Sequence, residues 1–277
     1  MSFNVIGIGE VLWDILPSGK QLGGAPANFV FHARALGARS RVISRVGPDS
    51  LGAEILQRLQ ALGLPIVEIQ VDPSKPTGTV SVELSADGQP RFTIHEDVAW
   101  DYLALEKTAL EAAAEADAVS FGTLAQRRQP ARSTIQSLLA AVRPRALRIL
   151  GINLRQNYFS REIIETSVKL ANIVKFNDAE LPILTEMLGL EGSTRQQIEQ
   201  LARQYSQRLI CLTRGAHGNL LYSEGQWADD PGQPVVVKDT VGAGDAFTAA
   251  PHRTCKRWSP WGPCTSSCPP RNYQSPP

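Results

Sequence analysis

The sequence predicts an α/β protein: a doubly wound, mostly parallel sheet flanked by helices, with a small antiparallel β lid. Two observations predict it. Short apolar strands alternate with helical stretches along most of the chain, and one stretch breaks that alternation with strands that follow one another directly. Residues 5–8 form a short apolar strand ending in glycine, and 25–36 carry apolar residues at helical spacing until Gly37. Residues 41–46 resume as a strand. A helix over 51–62 follows, with Leu51, Ile55, Leu59 and Leu62 on one face and Gly63 closing it. Further strands are expected at 118–121, 147–152, 173–176 and 208–212, separated by helices at 103–115, 131–141, 161–170 and 194–205. The break lies at 66–71, 78–84 and 91–94, strands with no helix between them and an Asp87-Gly88 turn, which reads as a hairpin sheet. Such a sheet set into an α/β body is suited to cover a ligand site at the carboxyl ends of the main strands. Lid strands are placed at about 12–20 and 66–100.

The chain has 277 residues, a formal net charge of +1 and 43% hydrophobic residues, enough for one sizeable core. No basic stripe or acidic block appears, so neither a nucleic acid nor a membrane surface is an expected partner, and a small molecule is. The first residues lack the basic and apolar regions of a secretory signal, and no run is long enough to span a bilayer. Cys211 stands alone in an apolar run, where a thiol behaves as a small hydrophobe, so a reduced, cytoplasmic body is expected.

Chemistry concentrates in Gly242-Ala243-Gly244-Asp245, which follows a strand-like 234–238 and opens a helical-looking 246–250. Glycines there let backbone N–H groups approach an anion, and the helix dipole adds positive charge at the same point. An aspartate at the edge of such an anion hole is placed to take a proton from an attacking hydroxyl. On that short pattern alone, a helix cap is the stronger reading.

The longer string Asp239-Thr240-Val241-Gly242-Ala243-Gly244-Asp245-Ala246-Phe247 resembles the C-terminal signature of the ribokinase, or PfkB, family of carbohydrate kinases. Gly23-Gly24-Ala25-Pro26-Ala27-Asn28, followed by Gly37 and Gly47, resembles that family's sugar-binding loop and first helix. The resemblance covers about residues 3–250 and implies a ribokinase-like fold that phosphorylates a sugar hydroxyl with ATP. It implies that Asp245 is the base, with Gly242, Ala243 and Gly244 around the transferred phosphate. Asp14, Gly23, Gly24 and Asn28 would hold the sugar, since carboxylate and amide groups pair well with vicinal hydroxyls. Arg155 would lie near the substrate or the transferred phosphate, although family members commonly carry an acid where this chain has Gly151. Asn177 and Glu180 match the family's Asn-x-x-Glu element, associated with Mg²⁺ and phosphate. Thr213, Gly215 and Gly218 match its nucleotide-side loop.

Each match also has a local reading: a loop acid for Asp14, an ordinary helix start for Asn177 and Glu180, a turn between strands for 213–218. The stretch 97–101 resembles bacterial fructokinases, which makes fructose the leading substrate ahead of other ketoses, ribose or 2-keto-3-deoxygluconate. Pairing of two copies through the lid is a further implication of the resemblance. Competing motifs are absent: there is no P-loop, and Gly7-Ile8-Gly9 lacks the third glycine of a dinucleotide fingerprint at Leu12. His32, His95, His217 and His252 make no metal-ligand spacing with the cysteines.

Residues 1–250 therefore read as one kinase domain and 251–277 as something else. The tail contains no Ala, Val, Ile, Leu, Met or Phe, carries Cys255, Cys264 and Cys268, and begins with Pro251, which ends the helix that Asp245 should open. Its Trp258 to Cys268 stretch resembles the opening of a thrombospondin type 1 repeat but lacks the cysteines and length of one. A shifted reading frame or a wrongly joined coding segment is the preferred origin, and the helices that close the family's adenine pocket are missing from this reading. The rival expectation is a sugar-binding pseudokinase that does not catalyse transfer.

Overall fold

Side chains on successive strand residues point to opposite faces, so a strand that is apolar throughout is buried from both sides. Asn4–Ile8 is such a strand: Val5 packs with Phe29, Val30, Ile55 and Leu59, whereas Ile6 and Ile8 pack with Ala112, Ala113, Ile135 and Leu138. The computed structural model describes residues 3–84, 90–233 and 242–249. The Asp87-Gly88 turn, the strand expected at 234–238, Asp239 to Val241, Ala250 and the 251–277 tail lie outside them.

From the amino end the chain runs β1 (Asn4–Ile8), β2 (Leu12–Leu16), β3 (Gly19–Gly23), α1 (Ala25–Ala35), β4 (Arg39–Val46), α2 (Ser50–Ala61), β5 (Ile69–Val71), β6 (Gly78–Leu84) and β7 (Pro90–Ile94). It continues through α3 (Lys107–Glu115), β8 (Ala118–Gly122), α4 (Gln129–Ala141), β9 (Leu147–Gly151), α5 (Arg161–Leu170), β10 (Ile173–Asn177), α6 (Leu181–Leu188), α7 (Thr194–Tyr205), β11 (Leu209–Thr213), β12 (Asn219–Ser223), β13 (Gln226–Asp230) and α8 (Ala243–Ala249). The main sheet has the order β13-β12-β11-β10-β9-β8-β1-β4-β5, parallel from β5 to β11, and the lid has the order β3-β2-β6-β7. This is the ribokinase-like α/β fold, with helices on both faces of the large sheet.

Local chemistry sets most boundaries. Asp49 caps α2 by accepting from Gly52 N at 2.8 Å, Ser160 caps α5 by accepting from Ile163 N at 3.2 Å, and Ser193 and Gln196 form a capping box at α7. Cys211 is buried in β11, as its apolar setting predicts. No helix among the described residues is long and apolar enough to cross a membrane.

Four expectations change. Residues 66–68 are not a strand, and β5 joins the main sheet beside β4 rather than the lid. The lid is built from β2, β3, β6 and β7 and ends at Ile94 rather than near residue 100; Ala99–Tyr102 then forms a short 3₁₀ turn. The helix expected at 103–115 starts only at Lys107, because Gln70 exchanges two side-chain hydrogen bonds with the Ala104 backbone and keeps that stretch extended. Finally, α8 starts at Ala243, so Gly244 and Asp245 sit inside its first turn.

Candidate active site

Strand order reverses around β1, which has β4 on one side and β8 on the other. Open α/β sheets hold their ligands beyond the carboxyl ends of the strands at such a switch point. The chain leaves β1 there through Gly9 and Glu10 and turns into the lid strand β2, which carries Asp14. Asp14 faces Gln21 across the β2/β3 ladder, and its carboxylate occupies the space a Cβ on Gly23 would need. Gly24 has φ 110°, and a side chain there would collide with the carbonyl of Glu10. The double glycine thus gives room first to the Asp14 carboxylate and then to the Glu10 backbone.

Helix α1 begins at Ala25, whose backbone N–H lies on the Glu10 carboxyl group and favours its charged form. One turn later Asn28 Nδ2 donates to Asp245 Oδ2 at 2.9 Å. The partner helix α8 packs along α1 and starts from Gly242, whose φ of 74° suits glycine. The two glycine-rich segments, more than 200 residues apart in the chain, meet at this one hydrogen bond.

Four carboxyl groups crowd the region. Burial raises the proton affinity of Asp245, opposed by the Asn28 hydrogen bond and by the charges of Lys175 and Arg155. Burial also pushes Glu10 up to about 7, helped by the Asp245 charge and opposed by backbone N–H bonds and Arg155. Asp14 rises to about 6 through burial, again opposed by Arg155. Glu180 is raised by burial and lowered by its N–H bonds, by Lys175 and by Arg155. Arg155 is therefore the shared counter-charge of all four. Lys175 Nζ lies 3.2 Å from the point where a Cβ on Gly244 would sit, so that glycine lets an ammonium approach the first turn of α8.

Asn177 and Glu180 bind each other. Glu180 N donates to Asn177 Oδ1 at 2.8 Å, Asn177 N donates to Glu180 Oε2 at 2.9 Å, and Leu154 N donates to Glu180 Oε1 at 3.3 Å. Each carboxylate oxygen has spent one lone pair on the backbone and keeps another, a set that fits the water shell of Mg²⁺ better than direct ligation. No cluster of three or more His, Cys, Asp or Glu able to hold a metal occurs among the described residues.

Thr213 closes β11 beside β10, and Asp178 N donates to its carbonyl at 3.1 Å, which joins this loop to the Asn177 turn. A Cβ on Gly215 would meet open space. Gly218 differs: its Cα is packed against the backbone of Asp230 and Gly232, so its glycine answers to the chain itself. A Cβ on Gly151 also meets open space, consistent with the acid expected there being absent. The 97–101 stretch is locked at the junction of lid and body, where Asp101 is fully buried against Arg127.

The family model for pfkB carbohydrate kinases matches residues 18–251. The chain belongs to this family. Its relatives include a fructokinase of Escherichia coli, 30% identical over 262 residues covering 90% of this chain and 83% of the relative. The structure is similar to that of an uncharacterized sugar kinase from Pyrococcus horikoshii solved with ATP, with TM-score 0.76 and 31% identity over 89% of this chain and 82% of the other. It is also similar to a Vibrio cholerae fructokinase solved with fructose, ADP and calcium, with TM-score 0.75 and 25% identity over 90% and 82% of the two chains.

Within this pfkB kinase, two residues without a sequence-level assignment face the site. Glu10 follows the end of β1 and had no spacing to mark it. Lys175 had a readable signal, a lone charge near the carboxyl end of the otherwise apolar strand Ile173–Asn177.

Proposed function

We propose that this carbohydrate kinase transfers the γ-phosphate of ATP to a hydroxyl of fructose, with Asp245 as general base. The observation that carries the reading is the Asn28 to Asp245 hydrogen bond, which joins the sugar-side glycine loop to the phosphate-side turn. Asn28 fixes the orientation of the Asp245 carboxylate, and the charged form takes the proton of the attacking hydroxyl. Asp14, seated against Gly23, accepts from sugar hydroxyls, and Gly24 completes that wall. The Gly242, Ala243 and Gly244 segment and Lys175 face the charge that grows on the transferred phosphate, with Arg155 as a further counter-charge. Mg²⁺, when bound, would neutralise phosphate oxygens, and Asn177 and Glu180 would hold its waters. Thr213 and Gly215 line the nucleotide side, whereas Gly218 supports that loop from behind. The fructokinase relatives, and the fructose and ADP in the Vibrio cholerae structure, support the choice of sugar and nucleotide.

This reading takes residues 1–250 as the kinase domain and 251–277 as a separate tail, in a cytoplasmic protein that pairs through its lid. ADP release measured over a panel of sugars tests it. Fructose should give the highest kcat/KM, and Asp245→Asn should lower kcat by about a thousandfold or more while calorimetry still detects sugar. Because Asp245 holds its proton more tightly than an ordinary aspartate, the acid limb of kcat/KM should lie above the usual aspartate range. No sugar-dependent turnover, with fructose still bound, would instead identify a non-catalytic sugar-binding protein.

A further inference from the structure

Arg127 follows β8, and its side chain is only 3% exposed. Its Nε donates to Asp101 Oδ1 at 2.7 Å and its Nη2 to Asp101 Oδ2 at 2.8 Å, a bidentate pair with a carboxylate that has no exposure at all. Nη2 also donates to the carbonyl of His95 at 2.7 Å, the first residue beyond the lid strand β7. The guanidinium carbon lies 4.0 Å from the ring centre of Trp100 and 4.6 Å from that of Tyr158.

Those two rings reach the rest of the lid and the site. Trp100 packs on Gly78, where β6 enters the lid, so closely that any Cβ there would collide with the indole. Tyr158 shares its single hydroxyl proton between the Ile94 carbonyl at 3.2 Å and Glu96 Oε1 at 3.0 Å, and its N–H donates to the carbonyl of Arg155 at 3.0 Å. One buried guanidinium thereby connects lid entry, lid exit and the loop bearing the shared counter-charge of the site.

We propose that Arg127 is a positioning residue for phosphoryl transfer: through Trp100, His95 and Tyr158 it fixes the lid relative to the Arg155 loop. The inference rests on the sugar-kinase reading only for its kinetic consequence. Arginine is required because a lysine ammonium has no planar fork for Asp101 and no flat face for the two rings.

Arg127→Lys, Arg127→Met and Tyr158→Leu in the full chain test it, with circular dichroism and thermal melting as controls for folding. Tyr158→Leu leaves the buried ion pair whole and carries the test if Arg127→Met does not fold. Hydrogen exchange without ligands should run at least tenfold faster in β2 and β6 of the variants, with β8 to β10 unchanged. The sugar KM should rise at least tenfold while the ATP KM stays within threefold, and more ATP should be hydrolysed per sugar phosphorylated. Arg127→Lys should fall between wild type and Arg127→Met. Exchange needs neither sugar nor ATP, so a chain that phosphorylates no sugar would lose the functional reading and still decide this one. Lid exchange that is unchanged, or accelerated equally with the central strands, overturns the proposal, as does an unchanged sugar KM in an active, folded variant.

Discussion

A carboxyl group enclosed as fully as that of Glu10, at 1% exposure, resists ionising because water cannot solvate the charge, and the neighbouring Asp245 adds repulsion. In the unfolded chain it titrates near 4.5 and in the fold near 7, so between those values the native state binds the extra proton. Stability therefore falls as pH rises across that window, and the full deficit, about 3 kcal/mol, is present above it. Glu10→Gln removes the charge and keeps the shape. It should be more stable than wild type by roughly 2–3 kcal/mol near pH 8 and gain nothing near pH 4, where Glu10 is neutral anyway. Urea unfolding at the two pH values measures this, and equal differences at both would mean that the Glu10 charge is solvated. Nothing local in the sequence announces Glu10. Its partners are Ala25, Arg155 and Asp245, brought together only by the fold.

Elements were legible where their end signals are local. α5 and α7 match their sequence-derived bounds because each pairs an amphipathic face with a serine cap. β5 was legible as an extended apolar run but not as a neighbour of β4, since a three-residue strand carries no signature of its partner. The 99–102 turn was hidden for a related reason: Asp101 is held by Arg127, 26 positions away. Asp49 shows how one residue can serve two elements. It accepts from Gly52 N at the head of α2, and from Thr77 N at 2.8 Å and Thr77 Oγ1 at 2.6 Å just before β6. Burial would raise its pKa, yet these hydrogen bonds outweigh that and hold it below the ordinary aspartate value. The stability it supplies is present above the unfolded aspartate pKa and lost as pH falls through the lowered one. Asp49→Ala should cost roughly 2–3 kcal/mol at neutral pH, about 1 for the cap and the remainder for the abandoned Thr77 donors. Asp49→Asn, which keeps an acceptor, should cost less. Denaturant titrations rank the two, and an equal loss would mean that the carboxylate charge matters rather than the acceptor geometry, since Asn caps a helix as well as Asp.

On the scale of the molecule, the two signatures were readable separately, while their meeting depends on α1 and α8 packing together at the carboxyl edge of the sheet. Sugar and nucleotide bind on this reading across that edge, between the lid strands that hold Asp14 and the body that holds Asp245. Binding to the native state alone stabilises it by about 2.7 kcal/mol at a hundred times the dissociation constant. For a chain of this size that corresponds to a melting shift of roughly 5–10 °C. Fructose at such a concentration should produce the shift in wild type and in Asp245→Asn, because Asp245 acts on the proton and not on the sugar wall. Asp14→Ala should abolish it. The two variants separate binding from chemistry: a shift that survives Asp14→Ala would move the sugar away from β2, and one lost in Asp245→Asn would make Asp245 part of the binding wall.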